Sequence, residues 1–545
     1  MKILNLFKKN KTETLLILFS LFFSSWLMFS TFSYNNGYML IASKAWSDFA
    51  SHIPLIRSFS LGVNFPPEYP LFPGAPIHYH FLFYLIVGLL EKTGIRIDFA
   101  LNSLSIIGFS VLLVIVYLFA KLIFKSKAIG VLSVILFLFN GSLSFIYFFK
   151  KNYIFSENFL INILNNKNFS SFDPYYGDGI VSAFWNLNIY TNQRHLSLSY
   201  AVSLFLIYVI TKKMLSNKDI PIKDIILIGL ILGISFLLNM AVFTITAIIV
   251  FCFAILFKKY RFSLIQLLFI AALIASPFFL YLNSSNFLSF FSFNPGYLIS
   301  QHLTLFSFIN YWLYNLGLHI LLIPLGFLLV AKKLKKIFIP FLFIFVIANL
   351  FQLSSEMAAN HKLINYFMII GATFSSYTLI YLWRKNFYLK FFVIIAIFFL
   401  IISGIIDFFP IYNDTKIPLA DYPVNSDVKW VMENTSKNSV FLNSEYLYTP
   451  ASLAGRKIFL GWPYFAWSQG YNTYKRDLQR KSLLEIHQAY SLCKELKKNN
   501  LQFIEIIKNE NIDGSYISFL DLNFKKVYEN KNTGYIIYKN NDYCK

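Results

Sequence analysis

The chain has 545 residues, 57% of them hydrophobic and only 14% charged, with 63 Phe and 35 Tyr, a balance that excludes a water-soluble globule. Its formal net charge of +22 does not indicate nucleic acid, because the Lys and Arg residues sit in short clusters at the ends of long apolar runs. The pattern is that of a polytopic membrane protein, and the three cysteines, Cys252, Cys493 and Cys544, make neither a metal cluster nor a disulfide framework. They allow one bridge at most, Cys493 to Cys544.

The first apolar run, about 13 to 32, follows Lys2, Lys8, Lys9 and Lys11. It is long enough to span and ends in Phe-Ser-Tyr without a small-residue cleavage site, so it reads as a retained helix. Further spans are expected at roughly 99–121, 128–148, 196–212, 224–239, 241–257, 262–282, 304–331, 337–352, 364–383 and 391–409, a total of about eleven. The stretch 79–90 is too short to cross at 1.5 Å per residue and fits a re-entrant or interfacial helix. Basic residues concentrate in 1–12, 121–127, 212–223, 258–261, 332–336 and 384–390. By the positive-inside rule those segments and the N-terminus are cytoplasmic. The large loops 34–98 and 149–195 are then outside, as is everything after Pro410.

The expected fold class is therefore mainly α: a polytopic membrane helical bundle over residues 1–410, with a small extracytoplasmic α/β domain over 411–545. In that domain Asp427–Asn434 reads as a short helix, Ser439–Leu442 and Lys457–Gly461 as strands, and Tyr474–Asn499 as one amphipathic helix. Gln502–Ile507, Lys525–Tyr528 and Gly534–Lys539 read as further strands, the last two joined by an Asn-rich turn.

Polar and ionisable residues near lipid depth are the informative ones, since burying them is costly unless a partner or a wet cavity receives them. In Trp46-Ser-Asp48-Phe-Ala-Ser-His52, Asp48 and His52 are four apart, and a helix there puts carboxylate and imidazole on one face. An N-capping Asp on an interfacial helix is the alternative. The loop continues through Glu68 and five closely spaced prolines to Pro76-Ile-His78-Tyr-His80, a stiff path suited to the rim of a cleft. His78 and His80 have no third ligand at zinc spacing, so anchoring or a hydrogen bond into the cavity is expected of them. Asp173 and Asp178 lie in the second large loop, which ends at Arg194-His195. Arg194, and later His361-Lys362, place cations on the side where cations are scarce. Snorkelling to headgroups explains them, and so does holding an anionic lipid phosphate. In the last part, Arg456 and Trp467 stand in a stretch that interleaves aromatics with cations. Sugars stack on aromatic faces and bond to Arg, so acceptor binding and packing onto the membrane surface are both open there.

With Asp48, His52, Arg57 through Gly62, and Pro-Gly-Ala-Pro-Ile-His-Tyr-His before a short helix, the membrane part, about 13–409, resembles the GT-C superfamily of membrane glycosyltransferases, in particular its dolichyl-phosphate-mannose mannosyltransferase-like and RgtA/B/C/D-like group. The resemblance implies a polyprenyl-phosphate sugar donor, a glycan, lipid or protein acceptor, and catalysis by the first-loop carboxylate, which is Asp48 by position. Some members of that group carry two adjacent or alternating acids, whereas Asp48 is flanked by Ser47 and Phe49. A divalent metal thus remains open, with Asp48, Asp173 and Asp178 as its carboxylates. The chemistry also stands without the family: Asp48 as base, and Arg194, Lys362 and His361 on the donor phosphate, with His52, His78, His80, Arg456 and Trp467 on substrate. A single base predicts inversion; two close carboxylates would predict retention.

The rival reading is a non-catalytic membrane protein, such as a lipid-linked-sugar transporter or an assembly factor of envelope glycan synthesis. A transporter places ionisable groups along a mid-membrane path, whereas here the spans are nearly free of charge and the polar groups gather on one face. Transfer of a group other than a sugar, such as phosphoethanolamine, would want a metal cluster in the last domain, where His487 is the only histidine.

Overall fold

The structure, a computed structural model, describes residues 10–170, 182–282, 291–299, 302–508 and 513–540. Asp173, Asp178 and Cys544 lie outside the described residues, so the metal carboxylates proposed from the second loop and the Cys493–Cys544 bridge do too.

All eleven apolar runs are helical, yet among the described residues only six helices are long and apolar enough to cross a membrane, or seven if one bent pair counts as a span. The protein is thus a multi-pass membrane protein with fewer full-length spans than the eleven expected. The six are Lys11–Thr31 (α1), Ile97–Phe124, Arg194–Leu215, Lys258–Leu282, Met357–Trp383 and Phe387–Tyr412. The other runs are interrupted for local reasons. The run at 128–148 gives a helix only over Lys127–Leu138, about 18 Å long at 1.5 Å per residue. It stops at Asn140, whose side chain accepts the Ser142 amide. The run at 304–331 breaks into Leu305–Leu316 and His319–Leu329, bent by 93°. Gly317 at the break has φ +53° and packs on the Gly141 carbonyl so closely that a Cβ would collide with it. The two interruptions therefore meet, and the Leu143 amide donates to the Tyr314 carbonyl at 2.8 Å. Asn239, extended, caps Met240–Leu256 through the Val242 amide, dividing two 17-residue helices.

Between α1 and the next long helix the chain forms a hairpin, Phe32–Asn35 (β1) with Tyr38–Ala42 (β2), and then helix Trp46–Ser60 (α2). The short helix expected near 79–90 is Leu82–Lys92 (α3). Strand Lys416–Ala420 (β3), just past the last long helix, pairs antiparallel with β2. This joins the first extramembrane segment to the last.

The C-terminal part carries helix Ser426–Asn434 (α4) and a five-stranded sheet of Val440–Asn443 (β4), Lys457–Ile458 (β5), Phe503–Ile507 (β6), Lys525–Asn530 (β7) and Tyr535–Lys539 (β8), in the order β5-β4-β6-β8-β7. Strand alternation sorts its residues onto two faces. Leu442, Ile504, Ile506, Ile536 and Tyr538 face one core with Leu483, Leu492 and Leu496. Phe441, Phe503, Tyr535 and Ile537 share a second core with Val428 and Val431 of α4 and with Ile53 and Ile56 of α2. The single amphipathic helix expected over 474–499 is two helices, Thr473–Leu483 and Ala489–Lys498. Leu483 and Leu492 are nine residues apart, roughly two and a half turns, so one continuous helix would point them in opposite directions. A break lets both reach the sheet.

Candidate functional site

Helix α2 begins without a side-chain cap, and Asp48 occupies its first turn, where a carboxylate is favoured by the helix dipole. His52 follows one turn later, as the spacing predicts. Asp48 is only half-buried although the protein surrounds it deeply enough for burial to push its carboxyl up to about 6, opposed by the Lys362 ammonium. It accepts no hydrogen bond and forms no ion pair within 4 Å among the described residues. Lys362 and Tyr79 are likewise half-buried. Asp48 and Lys362 thus lie in a recess reached by solvent, near enough to feel each other's charge and too far apart to pair.

Histidines wall this recess. The rings of His80 and His195 lie 4.4 Å apart, and that of His52 stands perpendicular to His195 at 6.3 Å. The Tyr84 hydroxyl of α3 bonds to His195 Nδ1 at 2.9 Å. His52, His80 and His195 are 4%, 6% and 0% exposed, and His52 Nδ1, His80 Nε2 and His195 Nε2 find no protein partner. Burial, assisted by the Arg194 charge, holds His52 down at about 3. Burial together with the Lys362 and His52 charges holds His80 well below its usual range. Both are neutral imidazoles at physiological pH, each with one buried nitrogen that has no protein partner. Sequence reasoning missed His195, Tyr84 and Tyr448 as parts of this site. Tyr448, from the C-terminal part, donates to the Trp46 carbonyl at 2.5 Å and closes the recess at the start of α2.

The remaining expected residues divide. His361 adjoins the site, with Nδ1 3.3 Å from Asn365 Nδ2, Nε2 3.4 Å from Gln193 Nε2 and its ring against Phe184. His78 stacks on Tyr471 at 4.2 Å, where the C-terminal part meets the proline-rich loop. Trp467 is half-buried on helix Pro463–Ser468 (α5).

Two assignments are corrected. Arg194 is fully buried and spends its donors on the protein: Nε on the Thr191 carbonyl, Nη1 on Met28 Sδ and Asn102 Oδ1, and Nη2 on the Met28 carbonyl and Thr31 Oγ1. No donor remains for a phosphate, so Arg194 ties α1 to the helices behind the site. Arg456, 1% exposed, is likewise wrapped by the carbonyls of Leu61, Ala454, Val431, Met432 and Thr435 and cannot reach a sugar. Arg57 pairs with Glu91 and Asp421 at 3.0 and 2.8 Å, fastening α2 to α3 and to the C-terminal part.

No group of three His, Cys, Asp or Glu among the described residues is arranged to hold a metal ion. What the recess offers is a carboxylate able to take a proton, a cation close enough to feel its charge, and neutral imidazoles near that cation.

No protein-family model matches the chain, and no curated protein matches it. Among solved structures it is similar to ArnT from Cupriavidus metallidurans in the apo state, at 9% identity over 91% of this chain and 93% of that one, with a TM-score of 0.47.

Proposed function

We propose that the chain is a GT-C-type membrane glycosyltransferase that moves a sugar from a polyprenyl-phosphate donor to an acceptor hydroxyl, with N-terminus cytoplasmic and the recess on the outer side. The observation that carries this reading is that Asp48 and Lys362, close enough to feel each other's charge but not paired, share a solvent-reached recess beside long apolar helices. A lipid carrier arrives there from the membrane and a polar acceptor from water.

Asp48 takes the proton of the acceptor hydroxyl as its oxygen bonds to the anomeric carbon of the donor sugar. The bond from that carbon to the phosphate oxygen breaks, and the phosphate leaves with the electron pair. Lys362 faces the charge that builds there and lowers the barrier electrostatically. His52 and His80, neutral, bond to sugar hydroxyls. Displacement with one base inverts the anomeric centre.

The test follows a radiolabelled polyprenyl-phosphate sugar into product in membranes holding the wild type or Asp48→Asn at matched expression. Asn keeps the size of Asp but cannot accept the proton, and loss of a general base costs about 10² to 10⁴ in rate. Near-normal transfer by Asp48→Asn removes Asp48 as base; no transfer by the wild type with any donor favours the non-catalytic reading.

A further inference from the structure

Helix Phe387–Tyr412, the last of the long spans, changes its neighbours halfway along. Over its first half Phe391, Phe392, Ile394 and Phe398 are exposed, and on a membrane span such side chains meet lipid. Its second half is covered by two short helices, Phe145–Asn152 and Phe159–Leu164. Phe145, Phe148 and Ile163 share a core there with Ile402 and Ile406.

The cover is also bonded on. The Phe145 amide donates to Ser403 Oγ at 3.1 Å. Asn413, just past the long helix, donates to the Leu164 and Asn166 carbonyls at 2.7 and 3.0 Å, and Asn166 Nδ2 donates to the Ile406 carbonyl at 3.4 Å. A helix of 26 residues is about 39 Å long, whereas the hydrocarbon of a bilayer is about 30 Å thick. Its final turns therefore reach the headgroup layer, and residues 164–166 sit level with them. This leaflet is the one on the side of the recess, since Asp414 at the same end bonds to Ser43 and Lys44.

The two short helices and the turn between them present an apolar surface with a basic edge. Tyr153, Phe155 and Leu160 are 77%, 95% and 71% exposed, and Ile154, Ile161 and Leu164 about half so. Residues 145–170 hold three lysines, Lys150, Lys151 and Lys167, against one acid, Glu157. The lysines are exposed, and among the described residues none of them pairs with a carboxylate. Water is a poor neighbour for so many apolar side chains together, and lipid already borders the span they cover. Rings and branched chains beside lysines at headgroup depth match interfacial insertion, in which apolar groups enter the acyl boundary and ammonium groups meet anionic phosphates. We infer that residues 145–167 form a membrane-inserted hairpin that binds anionic phospholipid on the recess side of the bilayer. This surface is independent of the proposed transfer chemistry.

Full-length Phe155→Trp in lipid nanodiscs tests it, read as the difference in Trp emission from the wild type, with thermal melting confirming the fold. Brominated phospholipid should quench the added Trp and aqueous acrylamide should not, whereas Tyr490→Trp, on an exposed helix of the C-terminal part, should show the opposite. At equal mole fraction, brominated phosphatidylglycerol should quench the Phe155→Trp signal about twofold more than brominated phosphatidylcholine. Adding Lys150→Gln, Lys151→Gln and Lys167→Gln should abolish that preference. Quenching by acrylamide alone overturns the insertion, and protection from both quenchers assigns the face to a second copy of the chain or another protein. Equal quenching by the two brominated lipids, or a preference that survives loss of the three lysines, overturns the binding of anionic phospholipid.

Discussion

Asp48 shows what burial does to a single group. With its carboxyl near 6, the proposed base is mostly ionised at pH 7.5 and mostly protonated at pH 5, so the transfer rate should climb through pH 6 and level off above it. A profile flat from pH 5 to 8 would exclude Asp48 as the titrating base. Lys362→Ala has a different expected signature, because the proposed phosphate contact would act in donor binding and in the departure of the phosphate: KM for the donor should rise while kcat falls. A fall in kcat alone would confine Lys362 to the transition state. The pair Asp48 and His52 was legible in the sequence because their spacing is local and helical. Lys362 was legible because it breaks a charge bias. Arg194 breaks the same bias and was misread, since nothing near it in sequence reveals that Met28, Thr31 and Asn102 converge on its guanidinium. His195 and Tyr84 went unseen for the same reason.

At the scale of elements, sequence period identified the apolar runs and most strands but not where helices stop. The breaks at Asn140 and Gly317 exist for each other, and the split between Leu483 and Leu492 follows from the sheet both must reach. The central strand β6 carries a testable oddity. Glu505 is 1% exposed and accepts from the Tyr535 hydroxyl at 2.7 Å, and burial pushes its carboxyl up from 4.5 to about 7. The folded state therefore holds this proton more tightly than the unfolded chain does. The stability contributed by the protonated form is complete below pH 4.5, is lost as pH rises towards 7, and changes little above. Relative to Glu505→Gln, the wild type should melt progressively lower in detergent between pH 5 and pH 8, a difference of about 3 kcal/mol by 1.36 kcal/mol per unit. Parallel pH dependence of the two proteins would show that Glu505 does not titrate on folding.

For the whole molecule, basic clusters at 212–223 and 332–336 and the position of the last long helix together predict that residue 334 is cytoplasmic and residue 420 is outside. Reporter fusions after those residues should give opposite signals; equal cytoplasmic signals at both would overturn the orientation and with it the outer placement of the recess. Composition announced a change near residue 411, but not that the sheet beyond it shares a core with α2 or supplies Tyr448 to the recess. Contacts between residues hundreds apart leave no local period to read.

The pairing of β3 with β2 bears on biogenesis. Ser43 donates to Asp414, 371 residues later in the chain, and Lys44 pairs with the same carboxylate at 3.0 Å. A ribosome delivering the chain from its N-terminus must finish the whole helical bundle before α2 finds the strand that fixes its start, and must add the last segment before Tyr448 arrives. The recess is consequently complete only once residues 414 to 448 have been made.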